Sequence, residues 1–254
     1  MIEHSDLTTK VHQWLKGRIM HHAFLPGDKL DIQQLADDLG VSRTPVKDAI
    51  NRLTSEGLVV LRSRRGTYVA TLTPAALRDL FETRMMIECW AVQHATAASL
   101  HTVAPEMQSV FDRSTAVIAG ANAATFDYSA YYALDLQLHA LLIGLTGNTV
   151  LLDLHHGVLA RMSVGRIYYP GEDEVLRRSQ GAHTEHTAIV RAVADGNRDA
   201  LLAAVQAHIN ASKEHTAWLL DRATNAEDTQ RERTMHVRTD IPEIAATGRI
   251  LSCI

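Results

Sequence analysis

Apolar residues in the first 40 positions recur with the spacing of two short helices. In residues 6–22 they recur every three or four positions, which predicts an amphipathic helix that ends before Pro26-Gly27. Asp31 can cap a second helix, whose apolar positions run from 32 to 39 and which Gly40 ends. Both helices are short, as in a small helical domain.

A third helix follows the tight turn formed by residues 40–42. Ser42 can cap it, and Pro45 falls in its first turn, where a missing N–H costs little. We expect this helix to end near Ser55, before Gly57. Two short helices joined in this way predict a helix-turn-helix. The exposed polar residues at the start of its second helix are Arg43, Thr44 and Lys47.

Two runs with strand character follow, at 58–61 and 67–70. The residues between them predict a hairpin, with Gly66 available for a positive φ. We interpret this hairpin as the wing of a winged helix-turn-helix over residues 1–72. In that geometry the second helix of the motif enters the DNA major groove, and its first residues reach base edges. We therefore expect Arg43 to recognise guanine.

Charge is distributed unevenly along the chain. The formal net charge is −4, but residues 1–72 hold ten Lys and Arg against eight Asp and Glu, which gives +2, and the remainder holds fifteen against twenty-one, which gives −6. Between Arg43 and Arg65 six basic residues stand against two acidic ones. This favours a DNA-binding surface, although an ordinary solvated surface has the same charge pattern.

The rest of the chain is patterned for helices. Thr73-Pro74 is a cap followed by a proline at the first helical position. We expect a long helix to about Leu100, further helices at 104–119, 125–145, 148–168, 181–195 and 198–222, and a loop from Tyr168 to Glu174. The fold class predicted for residues 73–222 is an all-α antiparallel helical bundle. Residues 223–254 form a carboxy-terminal tail to which the sequence assigns no role.

Four residues of this second domain have the spacing of a metal site. Asp135 and His139 are four positions apart and share one face of a helix. His186 and His208 lie ten residues before and twelve residues after Gly196, so their rings come level in an antiparallel hairpin. Three imidazoles and one carboxylate suit zinc, nickel, manganese or iron. The spacing alone leaves open that these are ordinary surface or core histidines.

Residues 25–70 resemble the DNA-binding domain of the GntR family of bacterial regulators. The matching segments are Pro26-Gly27, Leu35-Ala36, Leu39 to Val46, Arg52-Leu53, Glu56-Gly57-Leu58 and Arg65-Gly66. Lys47 stands where the family usually has Arg, which keeps the charge but loses the bidentate fork. Gln33 stands where some members place a basic DNA-contacting residue. The resulting candidate DNA contacts are Gln33, Ser42, Arg43, Thr44, Pro45, Lys47, Arg65 and Gly66.

The second domain is similar to the FCD ligand-binding domain of one GntR subfamily. The similarity is carried by Arg84-x3-Glu88, Asp135-x3-His139, Thr146-Gly147-Asn148, Glu185-His186 and the spacing from Ala194 to His208. It implies a divalent metal, with zinc the first choice, bound by Asp135, His139, His186 and His208. The candidate effector contacts are Arg84, Asn148, Arg161 and Arg166.

Together these features predict a transcriptional regulator, and specifically a repressor. We expect a homodimer on a near-palindromic operator, because one winged helix contacts too few bases for a unique site. We expect a small organic acid bound at the metal to modulate operator affinity. The main alternative is a metal-dependent hydrolase or lyase domain fused to a DNA-binding module. No HExxH, GxSxG or phosphate-binding glycine loop supports an enzyme. An architectural DNA-binding protein with a purely dimerising bundle is a second alternative.

Composition adds two expectations. The amino terminus has no secretory signal and no apolar run of about 18 residues occurs, so we expect a cytoplasmic protein without membrane association. Cys89 and Cys253 are far apart without CxxC spacing, so the sequence indicates neither a disulfide framework nor a cysteine-rich zinc site.

Overall fold

A computed structural model of the chain describes residues 4–20 and 23–230, with side chains described for 7–20 and 23–223. The chain divides into two compact units. The first contains the described residues up to Leu72, the segment Ser163–Ile167 and the last described helix from Asp221. The second contains Thr73–Met162 and Tyr168–Leu220. Each unit has its own core, so we describe them separately.

The first unit begins with three helices and a small sheet. The elements are α1 (His4–Met20), β1 (Lys29–Leu30), α2 (Ile32–Asp38), α3 (Arg43–Ser55), β2 (Val59–Arg62) and β3 (Gly66–Val69). The strands are antiparallel in the order β1-β3-β2. The core lies between α1 and α3, where Leu15 and Ile19 are buried, as are Ile50 and Leu53. This is the predicted winged helix-turn-helix, with an additional strand β1 that the sequence did not predict.

Two helix starts in this unit differ in how they are capped. The carboxylate of Asp31 accepts from the backbone N–H of Gln33 and Gln34, as the sequence predicts. Ser42 occupies the cap position of α3 without a capping hydrogen bond from its side chain, so that part of the prediction is wrong. The hydroxyl of Ser42 is exposed at the start of α3 instead.

The wing turn combines two residues with positive φ. Arg64 has φ 60° and Gly66 has φ 117°, and the N–H of Arg65 donates to the carbonyl of Arg62 over 2.9 Å. A side chain at Gly66 would be strained, because the left-handed region penalises a Cβ. The predicted use of glycine at this position is therefore confirmed.

The second unit is helical. Its helices are α4 (Pro74–Gln93), α5 (Ala97–Ile118), α6 (Tyr128–Gly144), α7 (Thr149–Met162), α8 (Glu172–Ala194) and α9 (Arg198–Gln230), the last of which continues into the first unit. A 3-10 turn over Ser163–Tyr168 follows α7. In the core, α5 packs against α6 and α8, and α4 packs against α6 and α7.

Several predicted boundaries in this unit are wrong. The helix predicted to begin at 104 begins at Ala97, and the helix predicted to begin at 181 begins at Glu172. The long helix predicted to reach Leu100 ends at Gln93, because Thr96 caps a new helix and accepts from the N–H of Ser99 over 3.1 Å. The helix predicted over 148–168 becomes a 3-10 helix after Met162. The loop predicted up to Glu174 ends earlier, since α8 begins at Glu172.

Two further predictions concern the end of the chain and the membrane. Within the predicted tail, residues 223–230 continue α9, and residues 231–254 lie outside the described part. No helix in 4–20 or 23–230 combines the length and apolar character needed to cross a membrane.

Candidate functional site

Three buried histidines from three helices meet in the second unit. His139 lies on α6, His186 on α8 and His208 on α9, and one nitrogen from each ring lies within 4.8 Å of the other two. The centroid of the His186 ring is 4.5 Å from that of His208 and 5.3 Å from that of His139. None of the three is more than 3% exposed. A single ion could therefore reach a nitrogen of each.

The turn between α8 and α9 brings His186 level with His208. Gly196 takes φ 63°, which lets the chain reverse directly after α8. The side chain of Asn197 accepts from the N–H of Ala200 over 3.0 Å and so caps α9. The predicted juxtaposition of the two rings is thus produced by the turn at which the sequence placed it.

Two carboxylates hold the outer nitrogens of two of these rings. Nδ1 of His139 donates to Glu88 Oε2 over 2.9 Å, and Nδ1 of His208 donates to Glu185 Oε2 over 2.7 Å. An ionised carboxylate only accepts, so each Nδ1 carries the proton. In the neutral ring the lone pair is then on Nε2. Carboxylates behind metal-binding histidines fix the ring and its tautomer in this way.

His186 and Asp135 complete the donor set. Nε2 of His186 is buried without a hydrogen-bond partner in the described part of the chain, and it lies 3.5 Å from Asp135 Oδ1. That distance is too long for a good hydrogen bond. A buried nitrogen left without a bond is costly unless another group takes it. Three nitrogens and a carboxylate oxygen fit a divalent metal.

Burial keeps two of the imidazoles in the form that can ligate. It lowers the pKa of His186 well below its ordinary value, and the neighbouring rings of His208 and His139 lower that pKa further. Burial also lowers the pKa of His208 well below its ordinary value, with His139 and Arg84 acting in the same direction. Both imidazoles are therefore neutral near pH 7, as metal ligation requires.

Arg84 is the cation of the cluster. Its Nη2 donates to Nε2 of His139 over 2.9 Å and lies 3.3 Å from Nε2 of His208. Its Nε donates to Glu88 Oε1 over 2.6 Å, one helical turn along α4. The side chain is 7% exposed. Arg84 is thus a member of the site, in contact with two of the three rings.

Glu88 joins Arg84 and two histidines at a single wholly buried carboxylate. Besides Arg84 and His139, it accepts from Nε2 of His155 over 3.0 Å. Burial by itself raises the pKa of Glu88, but Arg84 and His139 beside it hold that pKa well below its usual range. Glu88 is therefore ionised.

His155 lies outside the set of four residues that the sequence predicted for this site. It has no exposed surface, and burial lowers its pKa. Its position four residues before the buried Leu159 on α7 was the available signal for an inward-facing ring.

The other three effector candidates are not buried. Asn148 is exposed, and its side-chain oxygen accepts from the N–H of Leu151 over 3.0 Å, so it caps α7 instead. Arg161 is exposed in the last turn of α7. Arg166 belongs to the segment that groups with the first unit. Of the four candidates, Arg84 contacts two of the three histidines, His139 and His208.

The candidate DNA contacts lie mainly on two exposed elements. Ser42, Arg43, Thr44 and Lys47 are exposed at the start of α3, and Arg65 and Gly66 are exposed on the wing. Gln33 is exposed on α2 and donates to Asp37 over 2.8 Å. Pro45 is buried, because it packs into the core from the first turn of α3, so its side chain is not available for a DNA contact.

The structure adds one basic residue to the wing. Lys29 is exposed on β1, pairs in register with Tyr68 of β3, and its Cε lies 3.2 Å from where a Cβ on Gly66 would stand. Sequence reasoning missed it because a two-residue strand has no periodicity to detect. On the neighbouring pair of strands, β2 and β3, the guanidinium of Arg62 lies 4.8 Å from the centre of the Tyr68 ring.

Comparisons with known proteins match both parts of the chain. Residues 7–69 match the model of the bacterial regulatory proteins of the gntR family, and residues 79–211 match the FCD domain. The Nta operon transcriptional regulator of Aminobacter aminovorans is 32% identical over 190 residues, which cover 73% of this chain and 83% of that protein. The transcriptional repressor RspR of Escherichia coli is 31% identical over 88 residues, 35% of this chain and 39% of that protein.

A solved structure supports the fold. The putative GntR regulator from Rhodococcus sp. RHA1 superposes with a TM-score of 0.61 at 21% identity, covering 83% of this chain and 97% of that one. The family models account for both the winged helix-turn-helix and the helical domain that holds the histidine cluster. The chain belongs to the GntR family of bacterial regulatory proteins, carries an FCD domain, and is a DNA-binding transcriptional regulator.

Proposed function

We propose that this regulator is a repressor whose hold on DNA is loosened when a small carboxylate metabolite binds a metal in the FCD domain. The observation that carries the proposal is the buried cluster of three histidines with Arg84 beside them. A cationic metal and a guanidinium in one buried site are suited to a small anion. The relative RspR is named a repressor, which favours the same sign of regulation here.

Asp135, His139, His186 and His208 would hold the metal. Their nitrogen and oxygen donors suit zinc, and also nickel, manganese or iron. When bound, the metal supplies a Lewis-acidic position that a carboxylate oxygen can occupy in place of water. Glu88 and Glu185 would orient two of the rings, and Arg84, which contacts the same rings, would bind the anion's remaining charge.

The DNA-binding face consists of the start of α3 together with the wing. Arg43 reads a guanine, Lys47 lies one helical turn further along on the same exposed side, and Arg65 reaches the backbone from the wing. Ser42, Thr44 and Gln33 supply further polar contacts, and Lys29 adds a basic contact beside the wing.

The working unit is a homodimer on a near-palindromic operator. Two helices that pack against each other, α4 and α7, expose large apolar side chains on the monomer. Met86 is 66% and Trp90 41% exposed on α4, and Val150 is 66% and Leu154 58% exposed on α7. A second copy of the chain covers these four residues, which we call the α4–α7 face.

The regulator is favoured over the metal-dependent hydrolase or lyase that the sequence left open. Both matched families and the relatives named above are transcriptional regulators. In the described site, Glu88 and Glu185 are both engaged by arginine and histidine side chains, which leaves neither placed as a general base.

The test is operator binding with and without the metal and a panel of small organic acids. An operator is first selected from random-sequence DNA, and binding is followed by fluorescence anisotropy. We expect one acid to weaken operator binding about 5- to 150-fold in zinc-loaded protein, the usual range of allosteric coupling. The double variant His186→Ala, His208→Ala should bind operator but neither zinc nor the acid. An acid response that survives in the double variant, or zinc binding that does, contradicts the proposal.

A further inference from the structure

The guanidinium of Arg84 hydrogen-bonds to the same histidine nitrogens that would ligate a metal. Nη2 of Arg84 contacts Nε2 of both His139 and His208, and these are the ring nitrogens that carry lone pairs, because each Nδ1 is bonded to a carboxylate. An imidazole nitrogen has one lone pair, so it accepts from Arg84 or ligates a metal, but not both. Arginine also keeps its proton in proteins, so it cannot yield by becoming neutral.

We propose that Arg84 and the metal exchange at these histidines, so that metal loading releases the end of the guanidinium to bind an anion. This inference rests on the metal site proposed above. It adds that the two cations compete, and that Arg84 becomes an anion receptor only after it has lost its histidine partners.

The structure indicates which part of Arg84 moves. Nε remains anchored, because it donates to the wholly buried carboxylate of Glu88, which is also held by His139 and His155. The Nη2 end, by contrast, contacts the rings of His139 and His208. Displacement by a metal therefore rotates the outer end of the guanidinium while its root stays fixed.

The released donors need a new acceptor. The Arg84 side chain is 7% exposed, and buried N–H groups without an acceptor are costly. A carboxylate is the best geometric partner for a guanidinium, since two parallel hydrogen bonds can form. The exchange thus prepares a two-point anion site, with the metal on one side and Arg84 on the other.

The first experiment follows the arginine side chains directly. Protein labelled with ¹⁵N-arginine is titrated with zinc alone, and the Nε–H signals are recorded by NMR. The Arg84 signal is assigned by its loss in Arg84→Lys, and Arg78 is the matched control, since it lies on the same helix but pairs at the surface with Asp79. We expect the Arg84 signal to shift with one equivalent of zinc and the Arg78 signal to stay.

The second experiment measures zinc affinity by competition with a chelator. Arg84→Lys keeps the positive charge but lacks the fork that reaches the histidines while bonded to Glu88. We expect it to bind zinc about tenfold more tightly than wild type, the equivalent of one lost charged hydrogen bond. Arg78→Lys should bind zinc like wild type. If Arg84 affected zinc binding only through its positive charge, Arg84→Lys would bind zinc with the affinity of wild type.

Two results would overturn the exchange while leaving the metal site intact. One is that wild type binds zinc and the double alanine variant does not, while the Arg84 NMR signal of wild type stays in place during the zinc titration. The other is a folded Arg84→Lys protein with unchanged zinc affinity. If Arg84→Lys does not fold, the wild-type titration decides, with Arg84 assigned as the signal that depends on Glu88→Gln. Absence of zinc binding to wild type would overturn the metal site and the exchange together.

Discussion

At the scale of single residues, local spacing predicted only part of the histidine site. The i, i+4 pairs Arg84 and Glu88, and Asp135 and His139, could be read from the sequence, because one helical turn places them on one face. The contacts of Glu88 with His139 and His155 could not, since those rings come from α6 and α7 and meet Glu88 only after the helices pack. Asn148 likewise proved to be an exposed residue that caps α7. The local sequence pattern could not distinguish this capping role from a contact with an effector.

Arg43 is the residue on which specific DNA recognition should depend most. It is exposed at the first position of α3, and Arg43→Ala would remove the proposed bidentate base contact, which is worth about 1–3 kcal/mol of discrimination. We expect the preference for selected operator over scrambled DNA to fall about 5- to 150-fold, as measured by anisotropy, with unchanged unfolding by urea.

The matched control is Arg52→Ala, on the same helix. Arg52 is also exposed and basic, but it lies near the carboxy-terminal end of α3 and hydrogen-bonds the Thr9 hydroxyl over 3.3 Å. Its loss should leave sequence preference close to that of wild type. Equal losses of preference in both variants would mean that charge on α3, and not the position of Arg43, carries recognition.

At the scale of elements, the sequence predicted helix ends where a glycine or a proline marks them. The turn at Gly196 separates α8 from α9 as expected, because glycine there takes a positive φ. The break between α4 and α5 was missed because the residues between them, His94, Ala95 and Thr96, include neither glycine nor proline. This boundary is marked by a reciprocal cap at the start of α5, in which Ser99 takes the place of the usual Glu or Gln.

This cap should contribute measurably to the stability of the protein. Thr96→Ala removes the acceptor for the Ser99 N–H, so we expect the free energy of unfolding to fall by about 0.5–2 kcal/mol in urea denaturation. Thr102→Ala is the control, since Thr102 is exposed on α5 and its hydroxyl donates to the carbonyl of Ala98, one turn back on the same helix. Equal effects of the two variants would show that the cap does not stabilise this boundary.

At the scale of the whole molecule, the division into two units suits a regulator that binds DNA with one part and senses with the other. The winged unit exposes basic side chains, while the helical unit buries Arg84 and Glu88 beside the three histidines. Coupling between such units requires a ligand that binds one global arrangement more tightly than another. In a two-fold dimer, that difference can lie in the spacing of two DNA-binding units against two half-sites.

The dimer is therefore the property on which the proposed regulation depends, and the α4–α7 face provides its test. Trp90 is 41% exposed at the surface of α4, with its ring stacked on His94 at 3.9 Å between centroids. Trp90→Glu places a charge where an apolar side chain of the second copy would pack, and the loss of one central aromatic anchor costs about 2 kcal/mol or more of association energy. We expect light scattering at micromolar concentration to show a dimer for wild type and a monomer for Trp90→Glu, with operator affinity reduced accordingly.

Trp218→Glu is the matched control, because Trp218 is 42% exposed but lies on α9, outside this face. A Trp90→Glu protein that remains dimeric, or a wild-type protein that is monomeric both free and on operator, would contradict the α4–α7 face as the dimer interface.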